Sequence, residues 1–302
     1  MKVKYAPICC YFGKFSNYFP LVLKSCSYNK GIDFHIVTDN DMSSYELPEN
    51  VRVINMSFAE LQDLVKVKFP DVDICLDRPY KVCDFKVAYG YLFQEYIKSY
   101  DYWGIFDVDL IFGDIEKFLP DNGDNRYVKM LPCGHLMFVK NAEPYNQMFR
   151  RSNDFDDLPR WETVFSSPES FYFDEHGGFD QIFLRLEKDR YFNKCQFDNV
   201  MPPWKYDHFV PINFPEKKFV VYSFEKGRVY RLSLDRGEVK KEELIYVHFS
   251  KRNVSVKCEN EDEWLLVPNS FINYKDVCVL DLLCMGRPRY LSVILRKLKN
   301  RI

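Results

Sequence analysis

The sequence predicts an α/β protein with a parallel sheet flanked by helices. Three observations lead there. Over the first 110 residues short apolar runs alternate with amphipathic stretches, the rhythm of strands joined by helical crossovers. Ser57 and Glu60 stand three apart immediately after an apolar run, the capping-box pattern that opens a helix behind a strand. Finally, 302 residues at 47% hydrophobic and 17% aromatic can bury a large core, which argues against a disordered chain.

In order, Ala6–Phe12 reads as a buried strand and Ser16–Asn29 as a helix, with Phe19, Val22, Leu23 and Cys26 on one face and Gly31 beyond its end. Phe34–Val37 and Val51–Met56 read as the next strands, the latter leading through Ser57 into a helix to Val67. Asp84 is placed to cap a helix in which Phe85, Ala88, Tyr89, Leu92 and Tyr96 recur at helical spacing, ending near Tyr100. Trp103–Phe106 then delivers Asp107, Val108 and Asp109 to the carboxyl end of a strand, the edge at which open α/β sheets bind ligands. His135–Val139 is a further strand. Phe179–Leu186 is a helix with Phe179, Ile182, Phe183 and Leu186 on its buried side. The aperiodic stretch Ser152–Phe173 between them reads as a functional loop or lid. Val220–Phe224 and Tyr230–Leu234 form a hairpin through Lys226 and Gly227, and Leu244–Phe249 is a last strand. The length fits one large domain or a domain with a smaller appendage.

Charge narrows the function classes. With 42 Lys+Arg against 44 Asp+Glu the net charge is -2, which disfavours a polyelectrolyte-binding surface and hence a nucleic-acid partner. No apolar run reaches the roughly 18 residues of a membrane span, and Tyr5–Phe12 runs into Gly13 and Lys14 without a secretory cleavage pattern. The expectation is a cytoplasmic protein. The ten cysteines are scattered and form no CxxC pair, so they read as small hydrophobes rather than zinc or redox ligands.

Asp107 and Asp109, two apart at a strand end, would share one face of a regular strand and repel unless a cation sits between them. A surface pair of loop aspartates is the plain alternative. His248 closes a strand of its own and is followed by Phe249, Ser250 and Lys251. It reads either as a core histidine or as a third ligand for a borderline cation such as manganese. Lys251 would then reach the same phosphates as a point charge. Asp174 to Gln181 is the other dense cluster. Gly177 and Gly178 permit close backbone approach, and Asp180 and Gln181 start a helix, where an aspartate is also favoured by the dipole alone.

Tyr11-Phe12-Gly13 after the first strand, Thr38-Asp39 after the second, Asp84 and Lys86, Gly-Ile-Phe-Asp-Val-Asp at 104–109 and the late His-Phe-Ser-Lys at 248–251 together resemble a GT-A-type glycosyltransferase. The likeness, over roughly residues 3 to 251, is to bacterial enzymes of capsule and O-antigen synthesis akin to the retaining lipopolysaccharide galactosyltransferases. It implies a Rossmann-like mixed sheet flanked by helices, a catalytic domain over residues 1–251 and an extension over 252–302. It implies Mn2+ or Mg2+ on Asp107, Asp109 and His248, bridging the diphosphate of a nucleotide-sugar donor, most naturally a uridine one. Tyr11, Phe12, Gly13, Thr38, Asp39, Asp84, Lys86, Val108, Gly134, His135 and Lys251 would line the donor, although Tyr11 and Thr38 also suit ordinary strand ends and His135 a buried structural role. The family continues after the late His with Gly and Lys-Pro-Trp, whereas Ser250, Lys251 and Arg252 stand here. An Asp180-Gln181 pair would face the donor sugar and the acceptor. Asp180 or Glu175 would serve as base in an inverting reaction, and Gln181 beneath the anomeric carbon would mark a retaining one.

Two other functions compete. A haloacid-dehalogenase-like phosphatase uses the first Asp of a DxD as nucleophile, but near its N-terminus and with Thr or Val two places on, where Ile111 stands here. A non-catalytic nucleotide-sugar or glycan-binding protein has no need of paired aspartates to activate a leaving diphosphate. Trp161, Phe171, Tyr172 and Trp204 read as core or as a sugar platform. Residues 286–302 carry six basic side chains and no acid, with Leu291, Ile294, Leu295, Leu298 and Ile302 at helical spacing. That pattern suits either a helix docked on the catalytic domain or one lying on an anionic membrane surface, where a lipid-linked glycan acceptor would wait.

Overall fold

The computed structural model describes residues 2–120, 126–175, 177–200, 208–249 and 252–285. Ser250, Lys251, His176, Trp204 and the basic segment 286–302 lie outside them. The strands, in chain order, are β1 (Tyr5–Cys10), β2 (Phe34–Thr38), β3 (Val51–Asn55), β4 (Tyr102–Phe106), β5 (Leu110–Phe112), β6 (Lys129–Cys133), β7 (Leu136–Lys140) and β8 (Tyr191–Phe192). They continue with β9 (Asp198–Asn199), β10 (Lys218–Glu225), β11 (Arg228–Asp235), β12 (Glu238–Leu244), β13 (Tyr246–His248), β14 (Ser255–Val256), β15 (Glu263–Val267) and β16 (Ser270–Asn273). The chain divides into two interleaved units, one made of Met1–Lys14, Lys30–Val108 and Leu119–Cys195, the other of Phe15–Asn29, Asp109–Phe118 and Gln196–Ile302.

The first unit is the α/β body that the alternating sequence predicts. Its seven-stranded sheet has the order β3-β2-β1-β4-β7-β6-β8. β3, β2, β1 and β4 run parallel, and β7 is antiparallel to both β4 and β6. The order reverses between β1 and β4, so their carboxyl ends flank the switch point at which such sheets take ligands. Ser57 caps the helix Phe58–Lys68 in a complete capping box with Glu60, and the helix Phe179–Leu186 has the expected bounds. Its Leu186, expected inside, is exposed at the last turn.

Two expectations within this unit are corrected. Asp84 does not cap a long helix, because it lies inside the short helix Val82–Phe85, after which the chain continues as separate turns Tyr89–Leu92 and Gln94–Ile97. A Cβ on Gly90 would run into the Trp103 ring of β4, so the segment approaches the sheet closely at that point. Ser152–Phe173 is not a single structureless loop. It contains the helix Trp161–Ser166, whose Trp161 and Phe165 rings pack with Phe69 and Phe149 in the core. The aperiodicity arises because several short elements meet that core from different directions. Trp161 is therefore a core residue, whereas Phe171 and Tyr172 are exposed.

The second unit is mostly antiparallel. A six-stranded sheet has the order β12-β11-β10-β15-β16-β14, and a three-stranded one the order β5-β13-β9. The β10–β11 hairpin turns through Lys226 and Gly227 as expected, with both residues at positive φ. β12, with the sequence Glu-Val-Lys-Lys-Glu-Glu-Leu, carries no apolar run and is visible only in the structure, at the edge of its sheet. Charged edge strands of this kind resist unwanted pairing with other chains. No helix among the described residues is long and apolar enough to cross a membrane.

Candidate active site

The carboxyl edge of the parallel strands gathers most of the residues singled out in the sequence. Tyr11 follows β1, where its N–H donates to the Val37 carbonyl at 2.9 Å and its hydroxyl to the Lys14 carbonyl at 3.1 Å. Phe12 packs its ring against Phe58, and Gly13 is exposed. Thr38 closes β2 with its hydroxyl accepting from the Asn40 side chain at 2.7 Å, and Asp39 beside it is exposed. Asp107 follows β4, its N–H donating to the His135 carbonyl at 3.1 Å. Gly134 and His135, both buried, form the turn between β6 and β7 rather than the opening of a strand.

Lys86 ties this edge together. Its ammonium lies 2.8 Å from Asp107 Oδ1, 3.0 Å from Asp174 Oδ2 and 3.2 Å from the Gly134 carbonyl. An ammonium has three protons, and three acceptors surround it. Burial disfavours its charge, but the two carboxylates outweigh that and hold its pKa well above the ordinary lysine value. Burial pushes the Asp174 carboxyl up to about 7, with Lys86 pulling against it. A Cβ on Gly134 would stand 2.5 Å from Asp174 Oδ2, so glycine is what allows the β6–β7 turn to lie against that carboxylate. The counter-charge of Asp107 is thus Lys86, from 21 residues upstream in the chain. Asp174 was legible only as part of a polar cluster, since nothing in its local sequence points to Lys86.

Asp107, Val108 and Asp109 stand in a turn between β4 and β5, not in a regular strand. In the second unit Asp109 immediately precedes β5, which pairs antiparallel with β13 in the register Leu110↔His248. The Phe249 N–H donates to the Asp109 carbonyl at 3.1 Å, and His248 Nε2 lies 3.3 Å from Asp109 Oδ1. Both side chains are partly exposed. A carboxylate oxygen and an imidazole nitrogen so close, and reachable from solvent, are a donor set suited to a borderline divalent cation.

The remaining expected residues take other positions. Asp84 is fully buried, its carboxylate paired with Lys81 at 2.7 Å and accepting from the Phe171 and Phe173 N–H groups at 3.0 Å. It supports a loop from inside and does not line a donor. Asp180 is also buried, 2.9 Å from Lys129 and hydrogen-bonded by the Tyr191 hydroxyl. Burial lowers the Lys129 pKa, and Asp180 opposes that. Gln181, in the first turn of the same helix, is partly buried, and Glu175 is exposed. Lys129 and Tyr191 had no sequence signal, because each meets Asp180 only through the fold.

The first unit is an α/β body whose polar edge lies at a sheet switch point. The chain belongs to a family of unknown function, DUF6625, whose model matches residues 7–275. No curated protein matches it. Among solved structures it is similar to mouse xyloside xylosyltransferase 1, apo form, at 11% identity and TM-score 0.35, over 68% of this chain and 90% of that one. It is also similar to the galactosyltransferase LgtC in complex with donor and acceptor sugar analogues, at 12% identity and TM-score 0.35 over 67% and 77%. A glycosyltransferase involved in the glycosylation of the major capsid of PBCV-1 matches at 10% identity and TM-score 0.35 over 65% and 84%.

Removing a buried cation strands its partners, and breaking a buried pair costs about 3–5 kcal/mol. Lys86→Met should therefore lose stability of that order in urea denaturation, and Lys86→Met/Asp174→Asn should recover at least half of the loss. A double variant no more stable than the single one would mean that Asp174 does not depend on Lys86.

Proposed function

We propose that this protein is a metal-dependent glycosyltransferase of the GT-A type, transferring a hexose from a nucleotide diphosphate sugar, a uridine one, to a bacterial surface glycan. The observation that carries this reading is the pairing of Asp109 with His248 at 3.3 Å, two residues along the chain from Asp107 at the carboxyl end of β4. In this reading Asp109 and His248 hold Mn2+ or Mg2+, with Asp107 as a further ligand. When bound, the ion neutralises charge developing on the leaving diphosphate as a Lewis acid.

The chain's own residues do the rest. Tyr11, Phe12 and Gly13 after β1 and Thr38 and Asp39 after β2 form the nucleotide side. Lys86, fixed by Asp174 and the Gly134 carbonyl, orients Asp107 and adds positive potential where the diphosphate leaves. His135 shapes the sugar side from the β6–β7 turn, Val108 does so from the DxD turn, and Lys251 adds a second positive charge near the phosphates. Asp180, held by Lys129 and Tyr191, fixes the helix start that presents Gln181 to the sugar, which accords with retention of configuration. Glu175 is the solvent-facing carboxylate on the same loop and holds the acceptor hydroxyl.

Residues 286–302, with six basic side chains and no acid, are proposed to bind an anionic membrane carrying a lipid-linked acceptor. Each basic residue there contributes about 1 kcal/mol of attraction. The helix Val279–Met285 leads into this segment with Leu280 and Leu283 exposed.

Two measurements check these assignments. Asp109→Ala should reduce transfer from UDP-hexoses at least about a hundredfold while the protein stays folded; full turnover of that variant in the presence of EDTA would refute the metal role. Deleting residues 286–302 should release the protein from phosphatidylserine-containing liposomes and spare transfer to a soluble acceptor. Retained liposome binding would place the membrane contact elsewhere.

A further inference from the structure

Phe171, Tyr172 and Phe173 are three consecutive aromatics with different fates. Phe173 is buried, whereas Phe171 and Tyr172 are 37% and 48% exposed. The backbone that carries them is pinned. The N–H groups of Phe171 and Phe173, on either side of Tyr172, both donate to the Asp84 carboxylate, at 3.0 Å each. Asp84 is itself locked by Lys81, which also donates to the Val164 and Glu169 carbonyls at 2.8 and 2.5 Å. Between the two pinned N–H groups, Tyr172 is held at φ 51°, a left-handed conformation that is unfavourable for a non-glycine residue. The Phe171 ring lies over the Lys81 ammonium, which is 5.4 Å from the ring centroid, and keeps part of its surface exposed beside Tyr172. Strain that a buried ion pair maintains in this way is the kind of local cost found at ligand-binding loops.

The position of this loop indicates its ligand. β1 and β2, which carry the nucleotide-side residues, lie on one side of β4, and the β6–β7 turn lies on the other. Asp174, two residues after Tyr172, packs against Gly134 in that turn and reaches Lys86. The rings therefore belong to the flank of Asp107 away from the nucleotide side. Glu175, exposed, donates its N–H to the Tyr172 carbonyl at 3.0 Å, so an anionic hydrogen-bond acceptor sits on the same turn as the rings. Part-exposed aromatic rings on the same turn as a carboxylate complement a pyranose, which has an apolar C–H face and a rim of hydroxyl donors.

We propose that Phe171 and Tyr172 form the stacking platform for a pyranose ring of the acceptor glycan, held rigid by the Asp84–Lys81 pair, with Glu175 taking the sugar hydroxyls. The acceptor role rests on the transferase reading above; the platform itself does not. The test uses the full chain on an immobilised array of pyranose glycans, together with release of UDP from UDP-hexoses in water with Mn2+ and no acceptor. Phe171→Ala/Tyr172→Ala should weaken glycan binding at least about tenfold and leave UDP release unchanged. Phe171→Leu/Tyr172→Leu, which keeps apolar bulk but no flat face, should lose binding to a similar degree. Wild-type binding to no glycan on the array, or undiminished binding by both variants, overturns the platform. Loss of UDP release with glycan binding intact also overturns it and assigns the rings to the nucleotide. Ring-dependent glycan binding by a protein that releases UDP from no UDP-hexose would keep the platform and refute the transferase reading.

Discussion

A buried charge must be paired, and in the first unit that constraint falls on Lys86. Its ammonium sits among Asp107, Asp174 and the Gly134 carbonyl, so the end of β4, the β6–β7 turn and the loop before the helix Phe179–Leu186 are fixed by one group. Such a pair adds little net stability over an apolar replacement, yet removing one member is costly. The cluster therefore acts mainly to set geometry, holding Asp107 at the sheet's switch point and Asp174 against the turn that needs glycine at position 134.

The same device recurs. Lys81 and Asp84 hold the loop that carries Phe171 and Tyr172, and Lys129 with Tyr191 holds Asp180 at the helix start. In the second unit, fully buried Asp198 meets Arg231 at 2.5 Å and the Tyr222 hydroxyl at 3.0 Å, and burial pushes its carboxyl up to about 6. Asp198 lies on β9 opposite Val247 of β13, one residue before His248. In both units, then, internal ion pairs support the chain next to the residues proposed for chemistry, whereas Glu175 and Asp39 stay exposed.

What was legible in the sequence was local. The Ser57–Glu60 box, the Lys226-Gly227 turn and the helix Phe179–Leu186 each depend on residues within a few positions of one another, and each stands where the pattern puts it. Asp84 misled because a capping aspartate and a buried support look alike until its partners, 87 and 89 residues away, are seen. β12 escaped because it is charged along its length at a sheet edge. The DxD with its late histidine was legible as a candidate metal set, but its setting in a turn was not. Nor was the role of Lys86 as the counter-charge of Asp107, since a lysine in a helical stretch carries no sign of the strand end that it will meet.

Binding of a nucleotide diphosphate sugar at this edge through a divalent ion, as proposed above, is tested most directly by thermal unfolding. A ligand that binds only the folded state stabilises it by about 2.7 kcal/mol at a hundredfold excess over its Kd. A panel of UDP-hexoses should raise the midpoint of the wild-type protein with Mn2+ present and lose that effect in EDTA. A panel in which no nucleotide sugar moves the midpoint with Mn2+, or in which the shift is the same in EDTA, would contradict the account.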